Sequence, residues 1–305
     1  MPKIINLDSE TRDEFLVSTE RKQIWVCLLD LLDQVDRVCK KYNIPYYAIG
    51  GTLLGAVRHK GFIPWDDDLD IAMMRKDYNR FLEVAPKEIK GKYFFQTTLT
   101  DQDYYKEWAR IRNSETTGIH DHNEMHKCNN GIYMDIFPLE NYTPTLLGVL
   151  HQIICITLGR ILTVKLHHNT RPRNSVKSHI IYGISFLFNV KKAHKLRERI
   201  ETRNAEKDTE YVTIGDIHFE TYSPEKLTFR KADFNDIVYL PFEEGTIPVP
   251  SGYANVLTTE YGDYMKFPPV EKRGLHHSII FDVNTPYKEY IEKHRDELAQ
   301  LKYQN

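Results

Sequence analysis

The sequence predicts a mixed α/β protein, a β-sheet flanked by helices and carrying a basic helical insertion. Three observations predict it. Residues 19–42 place apolar side chains at helical spacing, residues 44–58 read as strand, glycine turn and helix start, and "DLDIAMM" at 68–74 alternates like a half-buried strand. With 305 residues, 41% of them hydrophobic, the chain can bury a sizeable core, which we read as one elaborated unit with insertions.

The elements follow in order. In "TERKQIWVCLLDLLDQVDRVCKKY", Ile24, Val26, Leu28, Leu31, Leu32, Val35 and Val38 make the apolar stripe of a long amphipathic helix. "NIPYYAIGG" reads as a turn and a short strand ending at glycine, and "TLLGAVRHK" restarts a helix with Thr52 as its expected N-cap. The alternating strand that follows puts Asp68 and Asp70 on one face and Leu69 and Ile71 on the other. Next come a helix, "RKDYNRFLEVAPKEI", and strands at "YFFQTT", "WARIRN" and "GIYMDIFPL", the last projecting Asp135 from a face otherwise lined by Tyr133 and Phe137. Beyond about residue 208 the texture is again mixed α/β, ending in a charged helix from Pro286.

Net charge is −2, which gives no whole-chain case for nucleic-acid binding. The charge is uneven, however: residues 144–200 hold ten basic residues against one acid, Glu198, leaving eleven net negative charges on the rest. We therefore divide the chain into a core at 1–143, a basic amphipathic helical insertion at 144–205, and a return to the core at 206–305. The insertion's first apolar run has the length of a membrane span but contains His151, Gln152 and Arg160, so it reads as an interfacial or buried helix. It suits either an anionic membrane surface or a cap on the core, the membrane reading being preferred. Four widely spaced cysteines and an acidic N-terminus point to reduced thiols, no export signal and a cytoplasmic location.

Asp66, Asp67, Asp68 and Asp70 occupy five consecutive positions, a crowding that calls for a cation. Oxygen-only ligands suit magnesium, manganese or calcium, and an EF-hand is excluded because Ile71 stands where that loop needs glycine. Asp68, Asp70 and Asp135 fit one or two divalent ions clamping an in-line phosphoryl displacement, and Gly50 and Gly51 fit a phosphate at a helix N-terminus. "GGTLLG" is neither a dinucleotide fingerprint nor a P-loop. Arg58, Lys60 and Arg75 are candidates for countering phosphate charge. "HDHNEMHKC", with His120, His122, His126 and Cys128, looks zinc-like but comes from one short stretch, so a polar loop is preferred.

"GGTLLGAVRHKGFIPWDDDLDIAM" closely resembles the signature of the LicD family, phosphocholine transferases of bacterial surface glycans related to the fukutin-type sugar phosphotransferases. "GIYMDIFPLE" at 131–140 and "YGDYMKFPPVEKRGLHH" at 261–277 resemble the same family. The resemblance implies a nucleotidyltransferase-like mixed sheet and a reaction moving phosphocholine from CDP-choline to a sugar hydroxyl, with CMP released. It puts Gly50, Gly51 and Thr52 at the phosphates, Asp68 and Asp70 on Mg2+ or Mn2+, and Asp135 as third carboxylate and candidate general base. Lys272, Arg273 and His276 match the family pattern and are expected at the nucleotide or acceptor. The implied acceptor is a lipopolysaccharide, teichoic acid or capsule precursor, expected on a lipid carrier. Ribitol phosphate or glycerol phosphate as cargo, an NTP-using nucleotidyltransferase and a non-catalytic scaffold are the rival readings. Choline favours an aromatic cage, and Trp65, Tyr104, Tyr105, Trp108 and Tyr133 lie near the motifs, though core packing is the preferred role for each.

Overall fold

The computed structural model describes residues 2–4, 6–101, 104, 106–119, 128–166, 176–187, 189–214, 224–274 and 280–301. His120, His122, His126, Tyr105 and His276 lie outside the described residues.

Glu10–Arg12 (β1) and Phe15–Val17 (β2) form an antiparallel hairpin whose turn residues Asp13 and Glu14 adopt φ of 48° and 62°. Thr19–Tyr42 (α1) has the boundaries its apolar stripe predicts. Ser18 Oγ accepts from the Arg21 amide at 3.3 Å, and the chain leaves the helix through Asn43 at φ 51°. Trp25, Leu28, Leu31, Leu32, Val35 and Val38 are buried in the core, whereas Val26 lies on the outer face.

The central sheet and its helices follow: Tyr47–Ala48 (β3), Gly50–Arg58 (α2), Asp70–Met74 (β4), Arg75–Glu88 (α3), Tyr93–Gln96 (β5) and Ala109–Asn113 (β6). Thr117–Ile119 (β7) and the long strand Ile132–Tyr142 (β8) come next, then the helices Leu146–Leu166 (α4), Val176–Ser185 (α5) and Val190–Glu201 (α6). Tyr211–Thr213 (β9) and Thr228–Arg230 (β10) return to the sheet. Ile237–Pro241 (β11), Thr246–Pro250 (β12), Tyr253–Tyr261 (α7) and Ile280–Asp282 (β13) complete the body, with Tyr287–Lys293 (α8) and Arg295–Leu301 (α9) at the end. The single charged helix expected from Pro286 is thus two, divided at His294, whose ring stacks on Tyr290.

β8 is the spine of a mixed, seven-stranded sheet. It runs parallel to β4 and antiparallel to both β6 and β9, with β3, β5 and β10 outside those three. Nearly every β8 residue is buried, as its almost unbroken apolar sequence requires of a central strand. The three inserted helices leave the sheet after Tyr142 and return at Tyr211, and these two residues pair directly.

Among the described residues no helix is long and apolar enough to cross a membrane. All four cysteines are buried, and none is joined in a disulfide. Burial pushes the Cys27 thiol up to about 11 and raises that of Cys39 as well, so neither is a ready nucleophile.

Candidate active site

The glycine turn is built by backbone geometry. Gly50 has φ +55°, a conformation that favours glycine, and it lets α2 begin directly after β3. The helix is therefore capped at Ile49, which offers no side-chain bond, and the expected N-cap Thr52 lies inside the first turn. Its hydroxyl does other work: Thr52 Oγ1 accepts from the Asp70 amide at 2.8 Å. Asp70 O in turn accepts from the Ile49 amide at 3.2 Å, so α2 and β4 are tied together at the first acidic strand residue.

Carboxylates crowd this turn. A Cβ on Gly51 would lie 2.7 Å from Asp66 Oδ2 and 4.0 Å from Asp68 Oδ1. A Cβ on Gly50 would lie 3.7 Å from Asp70 Oδ2, 3.9 Å from Glu260 Oε1 and 3.9 Å from the Tyr261 hydroxyl. The acidic loop is held from behind by α1: Asp66 O accepts from Trp25 Nε1 at 2.9 Å and from Arg21 Nη1 at 3.1 Å. Asp67 is buried, and Arg21 offsets its charge and that of Asp66.

Strand register sets the third predicted carboxylate, Asp135, beside Asp70, but Asp135 is not among the residues lining the cavity beside the glycine turn. Asp70 and Asp135 are direct partners in the parallel β4–β8 pair, and Arg110 is the antiparallel partner of Asp135 on β6. Asp135 Oδ1 accepts from Arg110 Nε at 2.5 Å and from Trp108 Nε1 at 2.8 Å, while the Arg110 guanidinium lies 3.9 Å from the centre of the Tyr133 ring. Trp108, Tyr133 and Tyr104 are buried in this wall, which accords with a packing role.

A cavity of about 740 Å³, of the size that takes a small-molecule ligand, opens beside the turn. Gly50, Gly51, Asp66, Asp68 and Asp70 line it together with Glu260, Tyr261 and Asp263. Arg58, Trp65, Lys266 and Phe267 also belong to the lining. The Arg58 guanidinium sits 4.8 Å from the Phe267 ring centre, and Arg273 sits 4.8 Å from the Trp65 ring centre. Arg58 is fixed by donating to Tyr264 O at 3.0 Å and to His59 Nε2 at 2.8 Å.

Because Arg58 donates to His59 Nε2, that nitrogen accepts and the neutral ring carries its proton on Nδ1, which bonds Asp13 Oδ2 at 2.6 Å. Burial holds His59 below its ordinary pKa of 6.5, with Asp13 opposing the shift and Arg58 adding to it. A depressed folded-state pKa means that this group's stabilisation is present above the unfolded value of about 6.5 and is lost as pH falls through the folded one. The thermal midpoint of the parent protein is therefore expected to fall further between neutral and mildly acid pH than that of His59→Gln. Parallel curves for the two proteins would refute this.

The other predicted bases lie elsewhere. Arg75, expected to counter phosphate charge, is committed to the buried Glu140 and to Asn79 Oδ1, and it does not line the cavity. Lys60 is an exposed turn residue at φ +56°, and Lys272 is exposed in the turn Val270–Lys272; neither lines the cavity. Glu260 was not foreseen from the sequence. The signal available was its position immediately before "YGDYMKFPPV", the stretch that supplies Tyr261, Asp263, Lys266 and Phe267 to the lining.

Among the described residues, no group of three His, Cys, Asp or Glu side chains stands ready to hold a metal ion. The donor chemistry of the cavity is nonetheless that of a hard cation, since Asp66, Asp68 and Asp70 offer oxygen alone. An ion of the magnesium type needs only one or two carboxylates when substrate phosphates complete its shell.

A glycine turn at a helix N-terminus, with carboxylates gathered beside it on a mixed sheet, is the framework of the nucleotidyltransferase class. Residues 43–149 match the family model described as LicD/FKTN/FKRP, nucleotidyltransferase domain. The chain is 34% identical over 270 residues to the lipopolysaccharide cholinephosphotransferase LicD of Haemophilus influenzae, covering 85% of this chain and 96% of that protein. It belongs to the LicD/FKTN/FKRP family. An uncharacterised protein of Rickettsia typhi is 47% identical over 60 residues, 20% of this chain and 19% of its own length. One of Rickettsia prowazekii is 36% identical over 83 residues, 27% of this chain and 30% of its own length.

Proposed function

We propose that the protein transfers phosphocholine from CDP-choline to a hydroxyl of a lipopolysaccharide or related cell-surface glycan precursor, releasing CMP. The observation that carries this reading is the placement of the Gly50–Gly51 turn and the carboxylates of Asp66, Asp68 and Asp70 around one ligand-sized cavity. The similarity to a cholinephosphotransferase over most of the chain supports the cargo and the acceptor class. We place the reaction in the cytoplasm, in keeping with the widely spaced cysteines, none of them in a disulfide.

In this reading the first amides of α2 bind the donor's phosphates, and glycine at 50 and 51 allows their close approach. Asp68 and Asp70 would hold Mg2+ or Mn2+, which when bound polarises the transferred phosphoryl group and neutralises its developing charge. Thr52 fixes Asp70 through the strand amide. Arg58 counters anionic charge from the cavity lining, and Arg273 supports the aromatic surface beside it. We assign Asp135 to the carboxylate row rather than to proton transfer, because its Oδ1 is already the acceptor for both Arg110 and Trp108.

The test is a ligand series with Mg2+ present: CDP-choline, CDP-ribitol, CDP-glycerol, CTP and CMP. The expected result is a thermal midpoint raised more by CDP-choline than by CMP, and release of CMP without pyrophosphate when a glycan acceptor is added. A larger shift with CDP-ribitol or CDP-glycerol would reassign the cargo. Pyrophosphate release from CTP would make the protein a nucleotidyltransferase in activity as well as in fold.

A further inference from the structure

The inserted helices have two unlike faces. The inner face of α4, with Cys155, Ile156, Leu158 and Ile161, is buried. Arg197 of α6, itself buried, pairs with Glu107 at 3.0 Å beside the sheet, and it fits because Gly159 has no side chain: a Cβ there would lie 2.6 Å from Arg197 Nη1. The buried face of α4 packs against α5 and α6, and the Arg197–Glu107 pair ties the insertion to the core.

The outer face is apolar and uncovered. Leu146, Leu147, Leu150 and Ile153 of α4 are 85%, 76%, 51% and 51% exposed, and Phe186 and Leu187 after α5 are 59% and 84% exposed. The α4 residues recur at three- and four-residue spacing, so they form one stripe rather than scattered exposures. On α6, Lys192, Lys195 and Arg199 are exposed along one side, in a segment whose sequence carries ten bases and one acid.

We infer that this face docks on an anionic lipid bilayer, the apolar stripe entering the acyl boundary and the bases meeting lipid phosphates. Charge decides between occupants. A second copy would set one strongly basic segment against another, whereas an anionic surface complements it. A soluble polyanion would satisfy the bases and leave the leucines wet. Docking is peripheral, since among the described residues no helix is long and apolar enough to span. The inference is independent of the cargo assigned to the cavity.

The experiment is sedimentation of the full-length chain with phosphatidylcholine vesicles, with and without phosphatidylglycerol. Binding is expected to the anionic vesicles and to weaken with salt. Leu147→Ser/Leu150→Ser and Lys192→Gln/Lys195→Gln are each expected to lower partitioning by about tenfold. Unchanged thermal midpoints and unchanged CMP release on a lipid-free acceptor would show that the variants are folded. Equal partitioning to both vesicle types, no partitioning, or doubles that bind like the parent would overturn the proposal. So would a dimer of the parent that the leucine double dissolves without any vesicle binding, which would assign the face to a second copy.

Discussion

Replacing Asp70 by asparagine is expected to abolish transfer to within detection, a loss of about a thousandfold or more, because a bound ion contributes several kcal/mol and each ~1.4 kcal/mol is tenfold in rate. Asp68→Asn is expected to behave likewise. The side chain keeps its shape, so Thr52 still accepts from the amide at position 70 and the Asp70–Asp135 register is undisturbed. Without divalent ion the thermal midpoint of either variant should stay close to that of the parent, since the amide keeps the carboxylate's shape and can still hydrogen-bond. CMP release measured against Mg2+ concentration reads the first expectation, and a metal-free melting curve reads the second. Activity within tenfold of the parent for both variants would end the case for these two residues as metal ligands.

The second large effect separates two adjacent glycines that differ in what they provide. Gly51→Ala places a methyl 2.7 Å from Asp66 Oδ2, so the carboxylate must leave its position in the cavity wall. Because that atom ends a short side chain, stability should fall by only about 1 kcal/mol, while activity drops at least about a hundredfold through displaced charge. Gly50→Ala meets no atom nearer than 3.7 Å, but its φ of +55° penalises any Cβ by roughly 1–2 kcal/mol. Its cost should therefore appear mainly in the melting temperature. The comparison is made by plotting the two variants' loss of activity against their loss of stability. If both fell on one line, the turn would be a structural element only, and the close approach at Gly51 would have no catalytic meaning.

Much of this arrangement was legible because its signals are local. The apolar stripe of α1, the strand and glycine turn before α2, and the alternation leading into β4 each lie within one short window, and each element formed. Asp135 was also legible, because its alternation with Ile132, Met134 and Ile136 marks a strand face without reference to any other part of the chain.

What escaped depends on pairing across long sequence separations. Arg75 sits at the head of a helix just after the acidic strand and looks like a phosphate ligand. Glu140, 65 residues later at the end of β8, takes it instead. The partners of Asp135 are set by the β6–β8 register, which no local pattern encodes. Glu260 reaches the glycine turn only because α7 packs against α2. Thr52 was misread for a different reason. A threonine following glycine looks like an N-cap, but the left-handed Gly50 starts the helix three residues sooner, with Ile49 as its cap, and frees the hydroxyl to hold Asp70.

The pairing of Tyr142 with Tyr211 has a consequence for modularity. Since the chain exits and re-enters the sheet at neighbouring points, everything from 143 to 210 is, topologically, one enlarged hairpin turn. The entropy of closing such a turn rises only slowly with its length, so closure itself sets little limit on what is inserted there. The row of Asp70, Asp135 and Arg110 belongs to strands whose pairing is complete without that excursion. The outward-facing half can therefore be retooled for new surroundings without disturbing the strands that carry the candidate site.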